Sequence, residues 1–395
     1  MSYLRQVYLH LLKRIYNITR NYGEVINMMF DNDKTIFKYL KPLGNEMIST
    51  FRGRDLDEFL LYLNNYYLEY RDSLGLDDEI TFGIEIEIER FKCKLDKFDE
   101  FQVLINNVVG NDRWDTKNDI SLYNYSSFDN KVIFGREIAS DILTDNDKTW
   151  IDINNVCNIA SLYGVIGDKC GAHVHVGAQI LGDNTLYWYR FLKLLVIYEN
   201  IIYRFLYGEY LTHRSIMMDK TKPGALFYDS KLEKIHQELD GGLFHMLKIL
   251  NSGDNLFSRE LKFFGISFWH MLCDDEYNLY DNYNVCNKYC TVECRAGNGT
   301  TNPIVWQNNI NFFIKMLLYC KSERFNNDIL DSRRGMVESM FGDISRYSEI
   351  YLEQAIEFCD MIFDNNIDKI YFLRQYLKSF EVSKKAFVKA KKFTV

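Results

Sequence analysis

Three short stretches hold side chains whose types and spacing could do chemistry together. In Thr81-Phe82-Gly83-Ile84-Glu85-Ile86-Glu87-Ile88-Glu89, isoleucine and glutamate alternate strictly. That is the period of a strand with one apolar face and one carboxylate face. Glu85, Glu87 and Glu89 then stand about 7 Å apart along one face. Like charges in a row repel unless water, basic groups or a cation separates them. Gly171-Ala172-His173-Val174-His175-Val176-Gly177 alternates in the same way and projects His173 and His175 together. Thr291-Val292-Glu293-Cys294-Arg295 does so again with Glu293 and Arg295. Taken alone, the first stretch also reads as a solvated edge strand. Taken together, carboxylates, imidazoles and a guanidinium on sheet faces suit a divalent cation and a polyphosphate. Hard cations such as Mg²⁺ take carboxylate and phosphate oxygens, and an arginine fork matches phosphate geometry.

The elements that would position these strands follow from the pattern around them. Residues 1 to about 78 read as helical, with a basic, aromatic amphipathic helix over Met1 to Arg20 and a second near Asp55 to Tyr70. The second has Leu56, Phe59, Leu60, Leu63, Tyr66 and Tyr67 as its stripe. The spacing then predicts a helix over Phe98 to Val109 and strands over Trp114 to Leu122 and Val132 to Ile138, the last ending near Glu137. A short helix (Asn154 to Tyr163) and a turn (Asp168 to Gly171) lead into the histidine strand. Leu186 to Tyr210 is long and apolar, but Arg190, Lys193, Glu199 and Arg204 interrupt it, so it reads as a buried helix and not a membrane span. Next come a mixed loop (Thr212 to Tyr228), a helix near Lys231 to Leu250 and a strand near Leu261 to Trp269. After the Glu293–Arg295 strand, Ala296 to Thr300 reads as a turn, Asn302-Pro303 opens a helix to Tyr319, and the remainder is helical.

At 395 residues, with 47% hydrophobic and 15% aromatic content, the chain has the length and composition to bury a large core. A net charge of -8 argues against nucleic acid as the main partner. The basic end, Lys384 to Lys392, reads as a solvated helical terminus, and Met1 to Arg20 as a helix packed on the body and not on a membrane surface. Nine cysteines, an odd number without a secretory leader, are expected to be reduced thiols in the cytoplasm. Cys286-x3-Cys290-x3-Cys294 lacks the spacing of a metal cluster. Scarce proline with abundant Asn, Ile, Lys and Tyr fits the AT-rich coding genome of a low-GC bacterium or its virus.

The order of motifs over residues 80 to 320 resembles the glutamine synthetase-like superfamily of carboxylate–amine ligases, in its amidoligase branch, which groups with the glutamate–cysteine ligases. The motifs are Gly83-x-Glu85-x-Glu87, Trp114 with Asp119-x-Ser121, Glu137-Ile138-x-Ser140, Gly171-x-His173-Val174-His175-Val176-Gly177, Val292-Glu293-x-Arg295 and Asn302-Pro303. The resemblance implies an α+β fold: a curved antiparallel sheet with helices on its outer face. Residues 80–320 form the catalytic core, between a helical N-terminal region (1–79) and a helical C-terminal region (321–395). It further implies Glu85, Glu87, Glu137, His173 and Glu293 as metal ligands. His175 and Arg295 would face the nucleotide phosphates. Glu137, Arg295 and a looser match, Arg214, would take part in catalysis, Arg214 as a clamp on the substrate carboxylate. Glu89 lies one alternation beyond the motif.

The implied activity is ATP-dependent joining of a carboxylate to an amine through an acyl-phosphate, with Mg²⁺ or Mn²⁺ bound. The substrates would be small molecules, peptides or proteins. Glutamine synthetases build rings, so the resemblance leaves a homo-oligomer open. The sequence has no Gly-x4-Gly-Lys-Ser/Thr loop and no Gly-x-Gly-x2-Gly segment, so an ATP site would have to be of this sheet type. Three alternatives stand beside it: a metal-dependent amide hydrolase, a non-catalytic viral structural or interaction protein on a ligase-like scaffold, and a guanidino kinase. Of seven histidines only His173 and His175 form a His-x-His pair, fewer than zinc hydrolases use.

Overall fold

The computed structural model describes residues 58–60, 63, 68–92, 98–110, 113–125, 132–167, 169–206, 222–251, 259–272, 290–338 and 351–377. Within them the chain runs β1 (Phe82–Ile88), β2 (Arg90–Phe91), α1 (Phe98–Val109), β3 (Trp114–Tyr125), β4 (Val132–Ser140), α2 (Asp147–Tyr163), β5 (Gly164–Val165) and β6 (Gly171–Gly177). It continues with α3 (Thr185–Leu206), α4 (Ala225–Gln237), α5 (Gly242–Asn251), β7 (Ile266–Ser267), α6 (Trp269–Leu272) and β8 (Thr291–Asn298). Four helices close the described chain: α7 (Pro303–Lys321), α8 (Asn327–Glu338), α9 (Leu352–Ile362) and α10 (Asn366–Tyr376).

The fold is mixed α+β around a six-stranded antiparallel sheet of order β3-β4-β1-β6-β8-β7. Alternation decides which face meets the helices. Ile84, Ile86 and Ile88 of β1, Ala172, Val174 and Val176 of β6, and Val292 and Cys294 of β8 belong to one hydrophobic core with residues of α3 and α7. The same core reaches from Phe59 to Leu377, so α9 and α10 pack against the helices that cover the sheet. Each fully buried Leu, Ile or Phe contributes about 1.5–3 kcal/mol. The opposite face of the sheet carries the polar residues.

Two short linkages hold the edges of this arrangement. Asp145 gathers the backbone N–H groups of Leu74 (2.9 Å) and Leu76 (2.8 Å), the Ser73 hydroxyl (2.9 Å) and the Trp150 indole N–H (2.6 Å). That ties the segment before β1 to the start of α2. Gln307 of α7 accepts from Arg71 N–H at 2.9 Å and donates to Arg71 carbonyl at 2.7 Å, imitating a strand pair.

Several boundaries differ from the sequence-based expectation. Helix α2 begins at Asp147 and not Asn154, because Asn146 caps it by accepting from Thr149 N–H. The last residues of the expected loop over 212–228 are the first turn of α4, whose N-terminal Gly224 and Ala225 amides donate to Glu199 at 2.6 and 2.8 Å. The single helix expected over 231–250 is two, α4 and α5, broken at Gly241-Gly242, where Gly242 has φ +80°. The strand expected over 261–269 is only Ile266–Ser267, preceded by a 3₁₀ turn and followed by α6. The turn expected at 296–300 is in its first half strand, since β8 runs to Asn298 against β6. The helix over Met1 to Arg20, Arg214, Cys286 and the basic end lie outside the described residues. No helix among the described residues is long and apolar enough to cross a membrane.

Candidate metal and phosphate site

Cross-strand register brings the sequence-predicted residues together. Directly opposed residues of an antiparallel pair share a face. Glu85 of β1 opposes His173 of β6, and Gly83 opposes His175. Glu87 opposes Glu137 of β4, and His175 opposes Glu293 of β8. The register shifts between Ala172 and Val174, where Arg295 and Ala296 both donate to Gly265 carbonyl, at 2.7 and 3.1 Å. This bulge sets the direction of Arg295, whose Nη1 donates to Glu293 Oε1 at 2.6 Å.

Around these pairs the contacts are close. His173 Nδ1 lies 2.8 Å from Glu85 Oε2 and 3.5 Å from Glu293 Oε1, while its Nε2 lies 3.5 Å from Glu87 Oε1. His175 Nε2 lies 3.2 Å from Glu85 Oε1 and 3.8 Å from Glu293 Oε1, and its Nδ1 is 3.3 Å from Thr291 Oγ1. Gly171 N–H donates to Glu87 Oε2 at 2.6 Å. Two groups result, each with donor atoms within 4.8 Å of one another: Glu85, His173 and Glu293, and beside it Glu87, Asp119 and Glu137.

Burial and mutual charge shift these groups strongly. Burial pushes the Glu137 carboxyl up, repulsion from Glu85 adds to it, and its pKa reaches about 7. Burial acts the other way on Glu85 and loses: hydrogen bonds from His173 and His175 hold its carboxyl well below the usual range. Glu293 is likewise opposed by burial, yet the hydrogen bond from His270 and the nearby imidazoles bring it down to about 2. For His173, burial disfavours the charged ring, but the Glu87 charge and the Glu85 hydrogen bond raise it to about 9. His175 is raised as well, against burial, by its hydrogen bond to Glu85.

Two members of the site were not singled out as ligands from the sequence. Asp119 enters because β3 pairs with β4 and puts it opposite Gly135, beside Glu137. Its place in the Asp-x-Ser motif was the available signal. His270 enters from α6, with Nε2 3.3 Å from Glu293 Oε2 and its ring edge-on to His175 at 5.2 Å between centroids. Nothing in its local sequence marks it. Glu89 leaves the site: its backbone pairs with Val165, and its carboxylate lies against Gly167, where a Cβ would come within 1.2 Å of Oε2. Cys294 faces the core, and burial pushes its thiol up to about 12.

The donor set fits a divalent cation. Glu85, Glu87, Asp119, Glu137 and Glu293 outnumber Arg295 and Lys117, the basic residues at facing strand positions. Buried Glu293 Oε2 and His175 Nε2 are met by the His270 imidazole at 3.3 Å and the Glu85 carboxylate at 3.2 Å. Compared with protein-family models, curated proteins and solved structures, the chain gives no significant match.

Proposed function

We propose that this chain is an ATP-dependent carboxylate–amine ligase of the glutamine synthetase-like, amidoligase type. It would join the carboxylate of an amino acid, peptide or protein to an amine. The observation that carries the reading is the pair of acidic groups on one sheet face, separated by His173 and flanked by Arg295. Such a face suits a phosphate chain with its cations better than a neutral ligand. The antiparallel sheet with helices on one face supports the glutamine synthetase-like fold.

Divalent cations, when bound, would offset charge on the β- and γ-phosphates. Glu85, Glu87, Asp119, Glu137, His173 and Glu293 would hold them. The substrate carboxylate oxygen attacks the γ-phosphorus, ADP leaves, and Arg295 stabilises charge on the transferred phosphoryl group. The amine nitrogen then attacks the acyl carbon, phosphate departs with the electrons of the C–O bond, and the proton lost from the nitrogen passes to a carboxylate or water. Glu293 orients Arg295 through the 2.6 Å hydrogen bond, and the sheet holds both partners in a fixed approach.

A panel of acids and amines scored for ADP release tests this. Release should require both an acid and an amine and should disappear in Glu87→Gln and Glu293→Gln. Variants as active as the parent would remove the proposed roles. A second reading, a metal-dependent amide hydrolase, gains from His270, which brings a third imidazole to the site. Amide cleavage without ATP would favour it.

A further inference from the structure

We propose that the chain forms a two-fold dimer through the outer edge of β3, which pairs antiparallel with β3 of a second copy about a centre at Asn118. The two six-stranded sheets then join into one, with both polar faces on the same side. The interface stands apart from the ligase reading and needs neither nucleotide nor cation.

Strand β3 is an edge of the sheet and runs for 12 residues. An open edge offers backbone donors and acceptors to any strand that fits. Two sets of bonds show which residues face outwards. Arg113 carbonyl accepts from Asp141 N–H at 2.7 Å, so the odd-numbered residues turn towards β4. Thr116 N–H donates to Gln102 Oε1 of α1 at 2.7 Å, and Trp114 carbonyl accepts from Gln102 Nε2 at 2.7 Å, so the even-numbered residues turn away from β4. The Gln102 amide thus closes the first part of the edge. Among the described residues nothing closes the part that follows, from Thr116 carbonyl through Asn118.

Charge order selects the register. On the polar face β3 presents Asp115, Lys117 and Asp119, and Asp115 and Lys117 are exposed. Centred on Asn118, each Lys117 opposes the partner's Asp119, so opposite charges flank the axis on both sides. Centred one residue earlier, Lys117 would meet its own copy and Asp115 would meet the partner's Asp119. Centred one residue later, Asp119 would meet its own copy. Both alternatives set like charges together. Centred on Thr116 the charges would match again, but the N–H that must cross the axis is already held by Gln102. Only the Asn118 centre satisfies both charge and backbone.

In that register the two Asn118 residues exchange their backbone bonds, and each Thr116 carbonyl accepts one more from the partner's Ile120. Asp119 is held ready, since it accepts from Ser121 N–H at 2.7 Å and from the Ser121 hydroxyl at 2.9 Å. The β3–β4 register shifts after Asp119, and such an irregularity bends a strand. The partner strand therefore turns away before it reaches Gln102. Each copy places its Lys117 at the rim of the other's Glu87, Asp119 and Glu137 group, so pairing adds a positive charge beside each cluster of carboxylates.

The test is sedimentation velocity on the full chain over a concentration series, with melting curves to confirm that each variant is folded. The parent should pass from monomer to dimer as concentration rises. Asn118→Pro removes an N–H that the monomer leaves outside its own ladder, so it should fold and stay monomeric. Lys117→Glu sets acid against acid and should weaken the dimer about tenfold or more, and Lys117→Glu combined with Asp119→Lys should regain it. Asn118→Cys would stand about 5.5 Å from its own copy between Cα atoms, within reach of a disulfide, and should cross-link on oxidation where the parent does not. A parent that is monomeric throughout, or a dimer or larger assembly that folded Asn118→Pro and Lys117→Glu leave intact, would overturn the inference. So would an Asn118→Cys chain that cross-links to an added extended cysteine peptide but not to itself.

Discussion

Glu87 and Glu137 stand directly opposite each other on β1 and β4, two carboxylates in register on one sheet face. Directly opposed like charges destabilise a sheet by up to about 1 kcal/mol; Glu137, raised by burial first and by Glu85 next, takes a smaller further push from Glu87. A cation between them converts the conflict into binding. Glu137→Gln should therefore raise the stability of the chelator-treated protein by about 1 kcal/mol, the size of one such pair. The same change should abolish the gain in melting temperature on adding Mg²⁺. A variant less stable than the parent without metal, yet still stabilised by Mg²⁺, would remove the site from this pair.

The shifted groups also set a pH dependence. Glu137 is raised from 4.5 to about 7 and His173 from 6.5 to about 9. A raised group adds stability that is complete below its unfolded pKa and is lost as pH climbs through the folded value. Both therefore weaken the metal-free protein on the way from pH 5 to pH 9. Glu293, lowered to about 2, works in the opposite direction, and its contribution fades only as pH falls below the ordinary carboxylate range. Melting of the chelated protein should thus peak near about pH 5. Cation affinity should fall about tenfold per pH unit below about 9, where His173 must release a proton to bind, and more steeply below about 7, where Glu137 must do so as well. Melting temperatures that climb steadily from pH 5 to pH 9 without metal would contradict the assignment.

Much of this site was legible because the strands carrying it alternate. Glu85, Glu87, His173, His175, Glu293 and Arg295 all lie in runs where the period alone fixes the face. Register was not legible. That Glu137 meets Glu87, and that Asp119 lies beside both, follows from pairings that no local pattern encodes. The shift between Asp119 and Asn124 further hides the face of β3. His270 was invisible for a different reason: a single helical turn has no period, and its place depends on β7 pairing with β8. The helix limits that differ do carry local signals. Asn146 before Asp147 is a cap with an acid in the first turn, and Gly241-Gly242 is a break.

Gly171 offers a test of the site that changes no ligand. A Cβ there would lie 2.7 Å from His173 Nε2 and 3.1 Å from Cδ2, so the imidazole must move. The same residue donates its N–H to Glu87 at 2.6 Å. Gly171→Ala should lower cation affinity about tenfold, as displacement of a supporting contact does, with the fold retained in far-UV circular dichroism. Calorimetric Mn²⁺ affinity equal to the parent's would show that His173 does not act from its present position.

Arg295 is held by Glu293 and turned by the β8 bulge, so its fork geometry and not only its charge is specified. Arg295→Lys keeps the charge and loses the fork. ADP release should fall by about 10² or more in Arg295→Lys and by about 10³ or more in Arg295→Ala. Cation binding should change far less, because neither group of ligands includes Arg295. A lysine variant with parental turnover would reduce Arg295 to a counter-ion for Glu293.

Asp145 accepts from two backbone amides, the Ser73 hydroxyl and the Trp150 indole, and these bonds hold its carboxyl below its usual range against burial. Trp150 stacks on Phe82, the first residue of β1, at 5.6 Å between centroids, so the cluster anchors the strand that carries Glu85 and Glu87. Asp145→Ala leaves several buried donors unpaired, a loss of about 3 kcal/mol. Denaturant unfolding should show that loss. Cation affinity measured well below the melting temperature should stay near the parent's, because neither ligand group includes Asp145. A variant with unchanged unfolding midpoint would mean the segment before β1 is held elsewhere.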